Sequence, residues 1–533
     1  SVDALRRTLE TSDLHLIDEG TDAFGGRFQL YSPEPVERPG ERRLLAGFET
    51  ALEREQRSGQ VTTAERFVEP DGSHGVYAPT EGNGMAVLHA RGEMRPNLEA
   101  YLGLESAPDG GSALPVDADG TFCGFGAAML LPAMIDVIDA NLDYRVFITC
   151  SAIAIFVGLS MALAFRAHRN FLGIREVMLT APAAWLTVVA FCALPFVFSS
   201  FRLSYTDAVF EAMSGISATG STVIVGLDGA PAGLLLWRWL LIWFGGFGFI
   251  TLAVLVLPFL RIGGLQLFVL DLSVQSAKFV PRMIDLVIKL GLIYVGITSL
   301  GALAFRIEGM SSFDAIGHSM AAVATGGFSS HDASIAWFNS PAIEWTASAL
   351  MVVSAMPFVL HLEALRRGPK VLFRDAQVRL FLGIIGLAIA ALFLWRVVAN
   401  NAPLLDAARE ATFNVTSMIS TTGFSSQDFD KWGGFPPLLL LVMMLVGGCT
   451  GSTTCGIKIF RFQVLQAAAD TQFRHLYQPH GVFVPYYNGR PIPEDVVHSV
   501  LSFFFVFGVC FAILAVALGM LGLDMVTAIS SAA

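Results

Sequence analysis

Three short segments pair an acidic residue with a glycine thirteen positions later, a pattern suited to cation coordination. The pairs are Asp207 and Gly220, Asp314 and Gly327, and Glu410 and Gly423. An acidic side chain suits the positive end of a helix dipole, whereas the opposite end carries free carbonyl oxygens. Glycine then allows backbone conformations that a side chain would forbid. The spacing predicts short helices whose carbonyl ends face a cation, as in filters that replace the water around K⁺.

The stretch 410–461 joins one of these segments to a broken hydrophobic span. Its apolar run is interrupted by small residues between Gly447 and Gly456. In a membrane, backbone without internal hydrogen bonds persists only where protein or a water-filled cavity surrounds it. A single Thr-Gly turn would fit an ordinary helix C-cap, and the break alone would fit close helix packing. Three copies of the turn, each between hydrophobic spans, favour a lined pore.

The elements that must position these segments recur at a regular interval. The three glycines lie 107 and then 96 residues apart, which indicates copies of one unit of about a hundred residues. Re-entrant units are predicted at 205–222, 312–328 and 410–424. Hydrophobic spans of ~20 residues flank them. The predicted spans are 146–165, 177–201, 232–260, 283–305, 345–361, 380–398, 435–460 and 499–521, with a shorter one at 122–138 that carries Asp136.

The spans divide the chain into six predicted parts. Residues 1–120 form an acidic soluble segment of unknown role, with an amphipathic helix at 42–56 and a linker at 106–120. Two extra helices follow in 121–170. Pore repeats one, two and three occupy 171–262, 263–368 and 369–480, the third with a broken inner helix. Residues 481–533 form an incomplete fourth repeat, whose unit opens at Asp524 and whose filter glycine is expected just past Ala533.

The composition is that of a membrane protein. Of the 533 residues, 54% are hydrophobic, and the mean hydropathy is +0.59. The net charge of −11 resides in residues 1–120, which hold 22 acidic residues and 11 arginines. That charge argues against nucleic acid as a partner of this segment. Cys449 and Cys455 lack zinc-site spacing and a partner histidine, so we interpret them as small loop residues rather than metal or redox groups.

Basic residues predict the orientation in the membrane, because they concentrate in cytoplasmic loops. Four basic loops alternate with the re-entrant units, which places the filter mouths outside. If 122–138 spans the membrane, residues 1–120 are cytoplasmic; if not, they are outside, and we favour the inside. The basic residues are Arg166, Arg169 and Arg175; Arg261, Lys278 and Arg282; Arg366, Arg367, Lys370 and Arg374; and Lys458, Arg461, Arg474 and Arg490.

Five long motifs in this chain resemble the Trk/Ktr/HKT superfamily of potassium uptake proteins, in particular the bacterial TrkH-type membrane subunit. The motifs lie at 211–228, 237–258, 314–335, 415–426 and 447–462. The resemblance covers roughly residues 125–533. It implies an all-α membrane protein with pseudo-fourfold repeats of outer helix, re-entrant pore helix and inner helix, the fourth repeat being truncated here. It also implies a homodimer in the bacterial inner membrane, surrounded by lipids and bearing a cytosolic TrkA-type nucleotide-binding gating ring.

The resemblance also assigns candidate site residues. The family's filter segments match Ser217, Ala218, Thr219 and Gly220; Ala324, Thr325, Gly326 and Gly327; and Ser420, Thr421, Thr422 and Gly423. The family's intramembrane gating loop matches Gly447, Gly448, Cys449, Thr450, Gly451, Ser452, Thr453, Thr454, Cys455 and Gly456, with Lys458 and Arg461 at its basic end. Cys455 departs from the family, which usually has glycine there. The first extra helix is shortened, and the fourth filter and last inner helix are expected to be missing.

These residues predict passive K⁺ uptake through a channel-like pore. K⁺ is the transported ion and the only metal expected; we expect no covalently bound cofactor and no enzymatic activity, because no catalytic constellation is visible. One alternative is K⁺/H⁺ or K⁺/Na⁺ symport, which would need an intramembrane carboxylate, and the spans after Asp136 show almost none. Another is a membrane sensor with a vestigial pore. We interpret His318 and the glycines of 245–249 as packing residues.

Overall fold

The computed structural model of the chain describes five strands between residues 15 and 90, and then residues 118–165, 183, 185–255, 279–479, 481–488 and 490–533. Two compact units emerge from its contacts: Ser1–Pro115 with Asn170–Met178, and Val116–Arg169 with Leu179–Ala533. The amphipathic helix predicted at 42–56 and residues 106–117 of the predicted linker lie outside the described residues. So do five of the predicted basic loop residues, namely Arg166, Arg169, Arg175, Arg261 and Lys278.

The N-terminal unit contains a mixed β-sheet that the sequence analysis did not anticipate. Its strands are β1 (His15–Thr21), β2 (Arg27–Ser32), β3 (Glu65–Val68), β4 (His74–Thr80) and β5 (Gly84–Ala90). They lie in the order β1-β2-β5-β4-β3, with β2 and β5 parallel and the other pairs antiparallel. The short apolar run Met85–Leu88, which follows the Gly- and Asn-containing stretch 81–84, was the available signal for a strand.

The second unit is built of helices, which confirms the predicted helical membrane protein. Its helices before the third repeat are α1 (Ala118–Ala128), α2 (Leu130–Ile138), α3 (Tyr144–Phe165), α4 (Leu194–Phe198), α5 (Tyr205–Ile216), α6 (Ala232–Leu255), α7 (Phe279–Ile307), α8 (Ser312–Ala324), α9 (Pro341–Ser354), α10 (Phe358–Arg367) and α11 (Lys370–Arg374). They continue with α12 (Ala376–Val398), α13 (Leu404–Ile419), α14 (Phe435–Val446), α15 (Ile459–Tyr477), α16 (Glu494–Met520) and α17 (Met525–Ala532). A two-stranded ribbon, β6 (Tyr486–Tyr487) with β7 (Arg490–Pro491), precedes α16.

Four helices of the described chain are long and apolar enough to cross a membrane. The qualifying stretches are Ala232–Thr251, Asp285–Ile307, Ala376–Val398 and Glu494–Met520. The helix pair α9 and α10 passes the same test as one span but bends by 95°. The span predicted at 345–361 is therefore not a straight helix, because it is interrupted at residues 355–357. Pro357 explains the break, since it has no N–H to donate and clashes with a helix interior.

The third re-entrant helix also differs from its prediction. The helix α13 begins at Leu404, so that Asp406 lies in its first turn and Glu410 lies more than a turn further on. Glu410 is buried and accepts a hydrogen bond from Arg396 Nε at 2.9 Å. The assignment of Glu410 to the positive end of the helix dipole is therefore wrong. The helix is a turn longer than expected because it starts directly after Pro403, which suits the residue before a first turn.

Close packing of α6 against the pore helices positions the filter. A Cβ at Gly245 would overlap the carbonyl oxygen of Ile216, the last residue of α5. At Gly246 a Cβ would lie 3.0 Å from Cα of Ala324, where α8 ends. The interpretation of the glycines of 245–249 as packing residues is confirmed for Gly245 and Gly246, whereas a Cβ at Gly248 would meet nothing within 4 Å. Gly245 and Gly246 let the inner helix approach the C-terminal ends of two pore helices.

Candidate ion-binding site

The first two pore helices begin with the same capping arrangement. The Ser204 hydroxyl accepts a hydrogen bond from the amide of Asp207 at 3.1 Å, and the Ser311 hydroxyl accepts one from the amide of Asp314 at 3.0 Å. Each cap satisfies an orphan N–H, and the aspartate then lies in the first turn, where the dipole favours negative charge. These contacts fix the start of α5 and of α8.

All three pore helices end in the same backbone conformation. The filter glycine and the residue two positions before it have positive φ: 56° and 78° at Ala218 and Gly220, 54° and 68° at Thr325 and Gly327, and 56° and 81° at Thr421 and Gly423. The three segments therefore leave their helices by the same backbone path, and each includes a non-glycine residue in the left-handed region.

The amide preceding each filter glycine is already used by the pore helix. Thr219 donates to the carbonyl of Ser214 at 2.9 Å, and Thr422 donates to that of Ser417 at 2.9 Å. In the second repeat, the amide of Gly326 donates to the carbonyl of Ala321, the equivalent residue of α8, at 3.0 Å. With these N–H groups occupied, the carbonyl oxygens are the backbone groups that the filter segments can offer, except that of Ala324, which accepts from the Thr325 hydroxyl at 2.8 Å.

The three filter segments contact one another in chain order. A Cβ at Gly220 would overlap the carbonyl oxygen of Gly326, and one at Gly327 would overlap that of Thr422. A Cβ at Gly423 would meet no atom within 4 Å. The structure thus brings the twelve predicted filter residues together as three adjoining segments, and the first two glycines cannot be replaced without moving a neighbouring carbonyl.

A row of polar side chains, nine positions before each filter glycine, holds the chain that leaves the filter. Glu211 accepts hydrogen bonds from the Thr222 hydroxyl and the Val223 amide. His318 Nε2 pairs with the Ser329 hydroxyl at 2.9 Å, and Asn414 donates to the Ser426 hydroxyl at 3.3 Å. His318 is buried and hydrogen-bonded, which confirms its interpretation as a packing residue. The sequence analysis missed this row, although aligning the three glycines would have revealed it.

A cavity of about 900 Å³ opens beside the filter segments. Residues of the first and third filters line it, as do Cys455 and Gly456 of the predicted gating loop. Residues of α16 and α17 complete the lining, among them Leu518 and Ser530. The first and third filter segments and the predicted gating loop therefore line the same cavity.

The predicted gating loop connects α14 to α15 without helical structure. Positive φ values occur at Gly447, Gly451 and Gly456, and also at Lys458, where φ is 75°. The amide of Cys455 donates to the Thr421 hydroxyl in the third filter at 2.9 Å. This hydrogen bond holds the end of the loop directly against the filter.

The loop also fills the break in the second inner helix. The Cys449 amide donates to the Ala355 carbonyl at 3.0 Å, and the Phe358 amide donates to the Gly451 carbonyl at 2.9 Å. The Thr453 hydroxyl lies 3.2 Å from the Val323 carbonyl and 3.3 Å from that of Ser354. Backbone groups freed by one broken helix are thus satisfied by the other, as a low-dielectric interior demands.

Two buried cations follow the loop. Lys458 Nζ lies 4.7 Å from the ring centre of Phe249, and the Arg461 guanidinium lies 3.7 Å from that of Phe503. Arg461 also donates to the Ile457 carbonyl at 2.7 Å. Within the described residues neither cation forms an ion pair with a carboxylate, so aromatic faces stabilise both charges.

Known proteins are similar to this chain over most of its length. A family model described as the cation transport protein TrkH matches residues 144–532. The Trk system potassium uptake protein TrkI of Halomonas elongata is 39% identical over 407 residues, covering 76% of this chain and 82% of that protein. The Trk system potassium uptake protein TrkH of Escherichia coli is 36% identical over 413 residues, covering 76% and 85%.

The fold agrees with a solved structure. The crystal structure of the potassium transporter TrkH from Vibrio parahaemolyticus matches with a TM-score of 0.72 and 32% identity, covering 78% of this chain and 88% of that chain. The superfamily resemblance inferred from the motifs is confirmed by these matches. The chain therefore belongs to the TrkH family of cation transport proteins.

Proposed function

We propose that this protein carries K⁺ into the cell through a channel-like pore. The supporting observation is the convergence of three pore-helix ends, where the carbonyls of Gly326 and Thr422 abut Gly220 and Gly327. Carbonyl oxygens at such a point replace the water shell of the ion. The membrane potential supplies about 2.3 kcal/mol per charge per 100 mV, which drives uptake without a coupled ion. The relatives carry potassium uptake in their names.

The stretch Gly447–Gly456 acts in this proposal as the gate below the filter. Its support is the hydrogen bond from Cys455 to Thr421 and its position on the cavity beside the filter. Lys458 and Arg461 anchor the loop through aromatic contacts at its far end. Movement of the loop would replace this hydrogen bond and these aromatic contacts with contacts to water, and would open the ion path through the pore.

The proposed setting is the bacterial inner membrane, with the filter mouths outside and the basic loops in the cytoplasm. Arg366 and Arg367 at the end of α10, and Arg374 at the end of α11, belong to such a basic loop. We propose a homodimer that binds a cytosolic TrkA-type gating ring, because the relatives are described as parts of a Trk system. No catalytic role is proposed.

Buried carboxylates bear on the symport alternative. Three buried carboxylates belong to the pore and inner helices, namely Glu211, Glu344 and Glu410. The predicted spans did not include them. Their arginine partners are Arg238, Arg409 and Arg396, respectively. Each of these three carboxylates is thus tied to an arginine, whereas the buried Asp136 of α2 accepts the Gly233 amide at 2.8 Å. Passive conduction therefore accounts for the site better than coupling to H⁺.

Two measurements test the proposal. Expression in bacteria that lack potassium uptake should restore growth at low K⁺, whereas a membrane sensor with a vestigial pore would leave growth unchanged. In liposomes, K⁺ flux should reverse when the voltage alone is reversed. Flux that requires a proton or Na⁺ gradient would instead support a symporter.

A further inference from the structure

Arg238, a residue of α6, contacts both Glu211 of the first pore helix and the chain beyond the second filter. Its Nε donates to Glu211 Oε1 at 2.8 Å, and its Nη1 donates to the carbonyl oxygen of Ser329 at 2.8 Å. Its guanidinium also lies 4.2 Å from the ring centre of Phe328. Glu211 in turn accepts the Thr222 hydroxyl at 2.9 Å. One ion pair therefore connects the chain after Gly220 with the chain after Gly327.

Both side chains of this ion pair are buried, so the pair holds the two chain segments firmly. Arg238 is 1% exposed and Glu211 is 0% exposed. Charges in a low-dielectric interior interact strongly, and losing one partner leaves an uncompensated charge that the structure must accommodate. The two filters it connects are in direct contact, because Gly220 has no room for a Cβ beside the Gly326 carbonyl. A change in the pair must therefore displace a filter carbonyl.

The two other polar side chains that lie nine positions before a filter glycine do not link two filters through an ion pair. His318 and Asn414 each hydrogen-bond to the chain beyond their own filter through a neutral group, and His318 reaches the chain after the third filter only by ring contact with Phe424, 5.9 Å between ring centres. A second pair, formed by the buried Glu410 and the partly exposed Arg396, joins the third pore helix to α12. There the arginine stacks on Trp432, 4.3 Å from its ring centre, rather than on a filter residue. The second pair thus offers a matched control of the same chemistry.

We propose that Glu211 and Arg238 are specificity-determining positioning residues, which fix the separation of the first and second filters and thereby the preference for K⁺ over Na⁺. This inference rests on the proposed function. A carbonyl site discriminates between cations through the number and separation of its oxygens. Neither side chain touches the ion; both act through the backbone of the filter.

The test compares Glu211→Gln and Arg238→Lys with Glu410→Gln and Arg396→Lys in liposomes. K⁺ and Na⁺ fluxes are measured at the same imposed voltage. The K⁺/Na⁺ ratio should fall by about threefold to tenfold in the first two variants, the range expected for one member of a coupled network. The two control variants should keep the ratio of the unsubstituted protein, even where their melting temperature falls.

A milder substitution keeps the test decisive if the ion-pair variants do not fold. Thr222→Val preserves the pair and removes one hydrogen bond to Glu211, so it should lower the ratio by about twofold. An unchanged ratio in folded Glu211→Gln or Thr222→Val protein, or an equal change in the controls, would overturn the inference. Unsubstituted protein that shows no voltage-driven K⁺ flux would instead overturn the proposed function.

Discussion

The second and third inner helices are both interrupted, but in different ways. The break between α9 and α10 comprises only residues 355–357 and turns the chain by 95°. The break between α14 and α15 runs from residue 447 to 458 and contains four residues with positive φ. The two breaks share hydrogen bonds at Ala355 and Phe358. The short break, residues 355–357, is a fixed bend that we call the corner. The long break is a loop held against it.

The difference indicates which element can move. Pro357 produces the short break by its covalent structure, so the corner persists whatever the loop does. The loop keeps its place through hydrogen bonds from Cys449, Thr450, Thr453 and Cys455 and one from Phe358 to Gly451, each exchangeable for a bond to water. Displacing the loop would expose backbone groups of the corner, which a water-filled pore could satisfy. We therefore propose that the loop is the gating element and that the corner supports it.

The largest effect is expected from Gly447→Ala. A Cβ at this position would overlap the Cys455 carbonyl, and φ is 71°. Overpacking and left-handed strain together should cost about 2 to 5 kcal/mol, which should displace the loop and raise resting K⁺ flux about tenfold or more. Gly434→Ala is the control, because its Cβ would meet nothing within 4 Å and its φ is −75°. Equal resting fluxes in the two variants would contradict a gate at this loop.

A smaller effect is expected from Thr453→Val. The substitution preserves the shape but removes the hydroxyl that faces the Val323 and Ser354 carbonyls. A loss of about 1 kcal/mol should raise resting flux about fivefold. Thr450→Val is the matched control, because within the described structure its buried hydroxyl has no hydrogen-bond partner. If the control leaks as much as Thr453→Val, these hydrogen bonds do not hold the loop closed.

The smallest effect is expected from Pro357→Ala in the corner. The substitution releases the unfolded chain from a restraint and should lower stability by about 0.4 to 1 kcal/mol. Because Pro357 holds no loop residue by hydrogen bond, resting K⁺ flux should equal that of the unsubstituted protein. Thermal unfolding in detergent and liposome flux would measure both quantities. A rise in resting flux comparable with that of Gly447→Ala would show that the corner takes part in gating.

The sequence predicted the parts of the site that depend on backbone geometry. Gly220, Gly327 and Gly423 were recognisable because positive φ selects glycine, and their spacing gave the register of all three filters. The loop was recognisable because Gly447–Gly456 interrupts an apolar run. Both signals are local, and the structure places both beside the same cavity.

Features that depend on tertiary contact were not predictable in the same way. The corner was hidden because Met356 and Phe358 keep the hydropathy continuous around a single proline. Glu410 was assigned to a helix start from its spacing, whereas its role depends on Arg396, which belongs to another helix. The bridge made by Arg238 joins segments that are distant in the chain, so no periodicity could reveal it.

Anomalous diffraction from crystals grown with Tl⁺, a heavy substitute for K⁺, tests the central proposal most directly. The account predicts anomalous density on the carbonyl side of the three filter segments, at similar distances from Gly220, Gly327 and Gly423. It also predicts that Gly327→Ala, whose Cβ would overlap the Thr422 carbonyl, weakens this density. Crystals with strong Tl⁺ density elsewhere and none at the three glycines would contradict the account.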